Sequence, residues 1–252
     1  MFLCCFVIMV FSFRDRFGVL PIYGMIHLAG ERPVAGALQE LEVYAQEGVD
    51  CAIVENYHGS VDDVEEVLRV AGRNGAVKLG VNILPNEYRR AFDLVARYGA
   101  DFIQLDYVAG RYVDAVLDVD SYTLARATYL DVAVVAGVWP KYYTPVFGSN
   151  LGSDLQRGMQ WADAIVVTGE GTGKETPLDK IKTFRNILGE FPLLIGAGLT
   201  PLNAFEQLCI ADGGIVGSCF KQRQNTANLV DQMLVRDLMD VVREVKKYKA
   251  DK

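Results

Sequence analysis

The chain has 252 residues, 51% of them hydrophobic, so it is long enough to bury one large core or two small ones. Its 32 acidic residues outnumber its 25 basic residues, and the resulting net charge of −7 argues against a nucleic-acid-binding protein. The five cysteines form no CxxC pair and histidine occurs only twice, which argues against a disulfide framework and against a zinc site.

Residues 1–13, MFLCCFVIMVFSF, are almost wholly apolar and form a predicted N-terminal extension. They are too few to span a bilayer, which takes about 20 residues. Arg14 and Arg16 follow the apolar run, whereas a secretory signal carries its basic residues in front of it. Two interpretations stay open: translation starts at Met9, or the segment makes a weak contact with a membrane surface. We therefore expect a cytoplasmic protein, with a place at the membrane periphery as the alternative.

Eight apolar runs predict strands, and most segments between them carry apolar residues at helical spacing. The strands are predicted at residues 19–27, 51–55, 78–84, 101–105, 132–138, 164–167, 193–196 and 214–216. Ser60 and Asp63 predict a capping box at the start of one helix, and Thr200-Pro201 predicts the start of another. Only the segment from 106 to about 120 shows no clear pattern.

Consecutive strands joined by a crossover helix are parallel neighbours. Eight such units predict a single (βα)₈ TIM barrel of the phosphate-binding type, which spans residues 14–252. The alternative is a doubly wound open sheet. Such a sheet usually carries its glycine fingerprint after the first strand, whereas here the glycines follow the last two.

Small residues end both of the last two predicted strands. The predicted phosphate-binding residues are Gly196, Ala197, Gly198, Gly217 and Ser218. Bare backbone N–H groups at two adjacent strand ends form a concave anion site, and in βα barrels phosphate often binds after strands seven and eight. The alternative is simple turn chemistry, because glycine is common after strands. The glycine-rich loop 169–174 lacks P-loop spacing and is predicted to be a flexible lid.

Nearly every predicted strand ends in a polar side chain, which favours an active site because polar groups are costly in a barrel mouth unless they are used. The predicted catalytic residues are His27, Glu55, Asp106 and Lys141. The predicted substrate-binding residues are Asn56, Asn82, Gln104, Thr168 and Gly169. Glu55 is the best candidate for a general acid or base, because burial raises the pKa of a carboxyl group toward neutrality.

Each catalytic candidate also has a purely structural interpretation. His27 is either a site residue or a satisfied core histidine, and Glu55 is either a proton carrier or the partner of Lys78 or Lys141 in an ion pair. Asp106 either joins Glu55 in holding a divalent cation, fixes a sugar hydroxyl, or is a solvated loop acid. Lys141 is either a Schiff-base or electrostatic lysine, or an exposed loop residue. No cofactor is predicted apart from that cation, which stays open.

Six segments give the chain a resemblance to the BtpA/SgcQ family of proteins that are similar to ribulose-phosphate-binding barrels. They are GMIHL at 24–28, GVDCAIVEN at 48–56, GVNILPN at 80–86, GADFIQ at 99–104, ADAIVVTG at 162–169, and the whole of 193–221. The resemblance implies a barrel and a phosphorylated or sugar-like ligand. It also implies a link to photosystem I biogenesis or to membranes, but no settled reaction.

The chain departs from the family pattern in two places. The family has Lys-His after strand five, whereas here Tyr142 follows Lys141, which weakens any mechanism that needs a histidine there. The segment 106–118 also differs, although it would normally help to line the barrel mouth.

Two functions remain in view. The first is an enzyme that isomerises or cleaves a phosphorylated sugar or nucleoside, with that small molecule as its partner and no nucleic acid. The second is a non-catalytic, membrane-associated assembly or biogenesis factor, which the acidic composition and the apolar N-terminus favour. An oligomer is compatible with either function. The fold alone does not decide between the two functions.

Overall fold

In a computed structural model of the protein, which describes residues 12–72 and 75–251, eight parallel strands close into one barrel in sequence order. The strands are β1 (Ile22–Ile26), β2 (Cys51–Glu55), β3 (Lys78–Asn82), β4 (Phe102–Ala109), β5 (Ala133–Val138), β6 (Ala164–Val167), β7 (Leu193–Ile195) and β8 (Gly213–Val216). β1 pairs with β2 on one side and with β8 on the other, which closes the barrel. The predicted (βα)₈ barrel is confirmed.

Helices surround the barrel, with the short first helix across its N-terminal end and the others along its outside. They are α1 (Phe13–Phe17), α2 (Pro33–Glu47), α3 (Val61–Ala71), α4 (Tyr88–Tyr98), α5 (Val119–Thr128), α6 (Leu151–Trp161), α7 (Leu178–Leu188), α8 (Ala204–Ile210) and α9 (Gln232–Ala250). Ser218–Phe220 and Gln222–Gln224 form 3₁₀ turns after β8. Within the described ranges, no helix combines the length and apolar character needed to cross a bilayer.

Continuous apolar strands are explained by burial on both faces. In β5, Ala133 and Val135 belong to the cluster that fills the barrel, whereas Val134 and Ala136 belong to the cluster beneath the helices. Successive strand residues point to opposite faces, so a run without polar residues serves both clusters at once.

An aromatic plug closes the N-terminal end of the barrel. Phe17, which is 4% exposed, packs its ring edge-on against Phe102 with the ring centroids 5.5 Å apart. Arg16 fixes α1 by donating from Nη2 to the Asp101 carbonyl oxygen at 2.6 Å. α1 begins at Phe13, the last residue of the predicted extension, and residues 1–11 of that extension lie outside the described residues. With one end plugged, the opposite end is where a ligand can enter.

The start of α8 corrects one prediction. The helix begins at Ala204 instead of at Thr200-Pro201. Asn203 makes the difference, because its Oδ1 accepts from the Thr200 backbone N–H at 2.8 Å and its Nδ2 donates to the Gly198 carbonyl oxygen at 3.0 Å. These bonds form a separate turn before the helix. The capping box at Ser60 and Asp63, by contrast, is confirmed.

Candidate active site

A cavity of about 190 Å³ lies at the C-terminal ends of the strands. Most of the predicted site residues line it, namely His27, Glu55, Asn82, Gln104, Asp106, Lys141, Thr168, Gly196, Ala197, Gly198, Gly217 and Ser218. They come together because parallel strands in a closed barrel all end on the same side.

Asn56 and Gly169 are the two predicted site residues that do not line the cavity. Asn56 links the loops after β2 and β3, because its Oδ1 accepts from the backbone N–H of Leu84 at 2.8 Å. Gly169 leaves space for the loop after β6, since a Cβ at this position would lie 2.5 Å from the carbonyl oxygen of Glu175. Both residues shape loops around the mouth.

The carboxyl group of Glu55 lies on the β2–β4 side of the cavity, at the end of β2. Glu55 is 7% exposed, and its Oε1 accepts from Asn82 Nδ2 at 2.7 Å. Burial raises the pKa of Glu55 to about 7, and the charge of Asp106 adds to the rise, while Lys141 and the hydrogen bond from Asn82 oppose it. Near neutral pH both protonation states are therefore populated, which is the condition for efficient proton transfer.

Asp106 is held by Tyr143, a residue that the sequence analysis missed. The Tyr143 hydroxyl donates to Asp106 Oδ2 at 2.8 Å, and burial raises the pKa of Asp106 against the opposing effect of this bond. Tyr143 lies in the loop beyond the end of β5, outside every predicted strand and helix, so no periodicity marked it. The described part of the chain contains no group of three or more His, Cys, Asp or Glu residues suited to a metal ion. The divalent cation stays an untested prediction.

Lys141 faces the cavity from the loop after β5. Its backbone N–H donates to Thr168 Oγ1 at 2.7 Å, and its Nζ donates to Thr172 Oγ1 at 3.1 Å. Among the described residues, Lys141 has no carboxylate within 4.0 Å, and Lys78 instead lies 4.0 Å from Asp101. The predicted alternative of an ion pair for Glu55 is therefore not observed.

His27 lies between Glu55 and the end of β8. A Cβ on Gly217 would be 3.0 Å from His27 Cε1, so the glycine makes room for the ring. His27 is 4% exposed, and its Nδ1 has no hydrogen-bond partner in residues 12–72 and 75–251. Burial lowers the pKa of His27 to about 3, helped by the charges of Lys221, His58 and Lys141. The ring is thus neutral and able to donate or accept a hydrogen bond.

Small residues form the opposite corner of the cavity, after β7 and β8. Among the described residues, no hydrogen-bond acceptor is found for the backbone N–H groups of Ala197, Gly198, Gly217 or Ser218. The loop after β6 packs over this corner, since a Cβ on Gly173 would be 3.0 Å from Ser218 Oγ. Free N–H groups in a concave surface provide the donors that an anion needs.

Gly198→Ala is expected to destabilise the protein by more than the roughly 1–2 kcal/mol that a left-handed residue costs. Gly198 has φ 68°, and a Cβ there would also collide with the backbone of Lys174 and Glu175. Urea denaturation measures the loss. Gly48→Ala is the matched control, because Gly48 has φ 78° and open space around its Cβ position. Equal losses of stability in the two variants would show that the loop after β6 shifts to make room for the added Cβ without further cost.

The comparisons with known proteins agree with this architecture. The model of the BtpA family matches residues 30–244. Photosystem I biogenesis protein BtpA of Synechocystis sp. is 27% identical, with 92% of this chain and 91% of that protein covered. An uncharacterised protein of Methanocaldococcus jannaschii is 24% identical, with coverages of 90% and 96%.

Solved structures support the fold alone. Phosphoribosyl anthranilate isomerase from Thermococcus kodakaraensis has a TM-score of 0.60 at 17% identity, with 89% of this chain and 99% of that chain covered. A structure described as native KDPGal has a TM-score of 0.63 at 14% identity, with coverages of 90% and 97%. At such identities, similar barrels host different reactions.

Proposed function

This chain belongs to the BtpA family, and we propose that it is a cytoplasmic enzyme that binds a phosphorylated sugar or nucleoside in its barrel mouth and transforms it by proton transfer. The observation that carries the proposal is that one cavity holds both a carboxyl group with a pKa of about 7 and a corner of free backbone N–H groups. The first provides a proton carrier and the second an anion site.

The two sides of the cavity suggest how such a reaction proceeds. Phosphate bound at Gly198 and Ser218 supplies binding energy away from the reacting carbon and holds that carbon near Glu55. Glu55 moves the proton, while the Lys141 ammonium stabilises negative charge that develops in the transition state. Neutral His27 provides a hydrogen bond beside the phosphate corner. Isomerisation, carbon–carbon cleavage and glycosidic cleavage all use such a proton transfer.

A non-catalytic assembly factor is the second candidate. The Synechocystis relative carries the name of a photosystem I biogenesis protein. Exposed apolar side chains support this alternative, because Val113 is 62% exposed, Val116 is 86% exposed and Phe147 is fully exposed, all in the loops after β4 and β5. The proposed contact of the apolar N-terminus with a membrane surface concerns residues 1–13, of which 1–11 lie outside the described ranges.

The anion site is tested by replacing Ser218 with Asp, which puts a negative charge where phosphate is proposed to bind. A ligand at 100 times its Kd stabilises the wild-type protein by about 2.7 kcal/mol. We expect ribose 5-phosphate or inorganic phosphate to raise the Tm of the wild type, and Ser218→Asp to lose this rise. The readout is a thermal-shift titration with several phosphorylated sugars and nucleotides.

Ser218→Asn is the matched control, because it has nearly the same shape as Ser218→Asp without the charge. It is expected to keep most of the ligand-induced rise in Tm. An equal rise in all three proteins would place the anion elsewhere. No rise with any phosphorylated compound would contradict the enzyme proposal and favour the assembly factor.

A further inference from the structure

We infer that the end of the ligand opposite the phosphate is an uncharged polyol, and that the cavity rejects phosphorylated sugar acids. This inference rests on the proposed function. It assigns the discrimination to the β2–β4 side of the cavity, where Asn82 recognises a hydroxyl group and Asp106 excludes a carboxylate.

The first argument is an amide oxygen without a partner. Asn82 is 1% exposed and lines the cavity. Its Nδ2 is used on Glu55, at 2.7 Å from Oε1, so its Oδ1 is the atom left over. Within residues 12–72 and 75–251, Oδ1 has no hydrogen-bond partner. A buried acceptor without a donor is costly, and a ligand O–H or N–H would remove that cost.

The second argument is the chemistry of the neighbouring side chains. The carboxyl groups of Glu55 and Asp106 flank Asn82 in the cavity lining and act on each other through their charges. Gln104 lies on the same side and makes no side-chain hydrogen bond to any described residue, so its amide is also available to a ligand. Hydroxyl groups can donate to these acceptors. A ligand carboxylate can donate to none of them and would be repelled by both carboxyl groups.

The third argument is the position of positive charge. Lys141 is the only lysine or arginine among the described residues that line the cavity. Its Nζ is bound to Thr172 Oγ1, on the loop that packs over the phosphate corner. The charge of Lys141 also acts on Glu55 and Asp106, so it serves both sides of the cavity. The asymmetry that orients the ligand is that of the free backbone N–H groups on one side and the two carboxyl groups on the other.

Two matched ligand pairs test the inference. In each pair, one compound ends in an alcohol and the other in a carboxylate. The first pair is sorbitol 6-phosphate and 6-phosphogluconate, and the second is glycerol 3-phosphate and 3-phosphoglycerate. Titration calorimetry at pH 8, with inorganic phosphate as a common reference, should show at least one alcohol binding about tenfold or more tighter than its acid, because like charges at a binding surface are strongly unfavourable.

The variant Asp106→Asn should reduce that preference about tenfold by admitting the acid, since the asparagine oxygen still accepts from Tyr143. Asp62→Asn, which changes an exposed acid on α3, should leave the preference unchanged. Equal binding of alcohol and acid in the wild type would overturn the inference while leaving the proposed function intact. Binding of inorganic phosphate without any sugar phosphate would also overturn it. Failure of all phosphorylated compounds, including inorganic phosphate, would overturn both.

Discussion

Glu55→Gln is expected to lower turnover by a factor of about 10² to 10⁴, the usual contribution of a general acid or base, while raising the stability of the protein at pH 8. Glutamine keeps an acceptor for Asn82 Nδ2 but carries no charge. The carboxylate of Glu55 is destabilised by burial and by Asp106, so removing it relieves a cost that the folded state bears. Gain of stability together with loss of activity is the signature of a site residue.

The stability gain has a defined pH dependence. The pKa of Glu55 is raised from 4.5 to about 7 on folding, so between these values the folded protein binds more protons than the unfolded chain. Wild-type stability therefore falls as the pH rises through this window, whereas the variant has no such contribution. The difference should be near zero at pH 4 and roughly 3 kcal/mol at pH 8.

Urea denaturation from pH 4 to pH 8 measures this difference. Glu190→Gln is the control, because Glu190 is exposed and should respond little to the same change of charge. A Glu55 variant that is no more stable than the wild type at pH 8 would show that the carboxylate is well solvated. If the variant binds ligand normally and also functions normally in cells, the assembly-factor alternative gains support instead of the enzyme.

The barrel was predictable because its signals are local and repeated. Each strand is an apolar run of its own, as in β2 and β6, whose predicted and observed bounds coincide. A closed parallel barrel then follows from the order of strands and helices, without knowledge of any long-range contact. The location of the site was predictable for the same reason, because in such a barrel all the strands end on the same side.

Features that depend on distant contacts were not predictable. The helix α1 exists because Phe17 packs on Phe102, which lies far along the chain. β4 continues to Ala109 with an irregular register against β5, so it carries more residues into the mouth than its apolar run indicated. The observed start of α8 lies after the predicted one because Asn203 forms hydrogen bonds to the preceding loop. Local sequence patterns carry no information on such partners.

Within the site, the sequence predicted which residues gather but not how they pair. It left Lys141 as a candidate partner for Glu55, whereas the structure bonds Lys141 to Thr172 and Glu55 to Asn82. Side-chain pairing depends on distances of a few tenths of an ångström between loops. Tyr143 is an example, because its role in the site depends on its hydrogen bond to Asp106.

The pairing of Lys221 with Glu40 was also not predictable from the sequence. Breaking this pair is expected to cause the largest loss of stability. Lys221 Nζ lies 2.6 Å from Glu40 Oε1 and 2.7 Å from the Asn228 carbonyl oxygen, and both charged side chains are almost completely buried. Glu40 Oε1 also accepts from the backbone N–H of Val230 at 3.0 Å. The pair thereby ties α2 to the loop that follows the phosphate corner.

Lys221→Met is expected to cost about 3–5 kcal/mol in the free energy of unfolding, because it leaves the Glu40 carboxylate buried without a cation. Burial already raises the pKa of Glu40 against the opposing charge of Lys221, so the loss should shrink at acidic pH, where Glu40 takes up a proton. Urea denaturation at pH 8 and at pH 5 measures both effects.

The double variant Lys221→Met with Glu40→Leu decides whether charge is the cause. Replacing both partners of a buried pair by apolar residues of similar size is often close to neutral, so the double variant should recover most of the loss. Because the pair anchors the loop after Gly217 and Ser218, the single variant should also bind inorganic phosphate more weakly. A double variant as unstable as the single one would mean that packing around the lysine stem, and not the ion pair, holds this loop against α2.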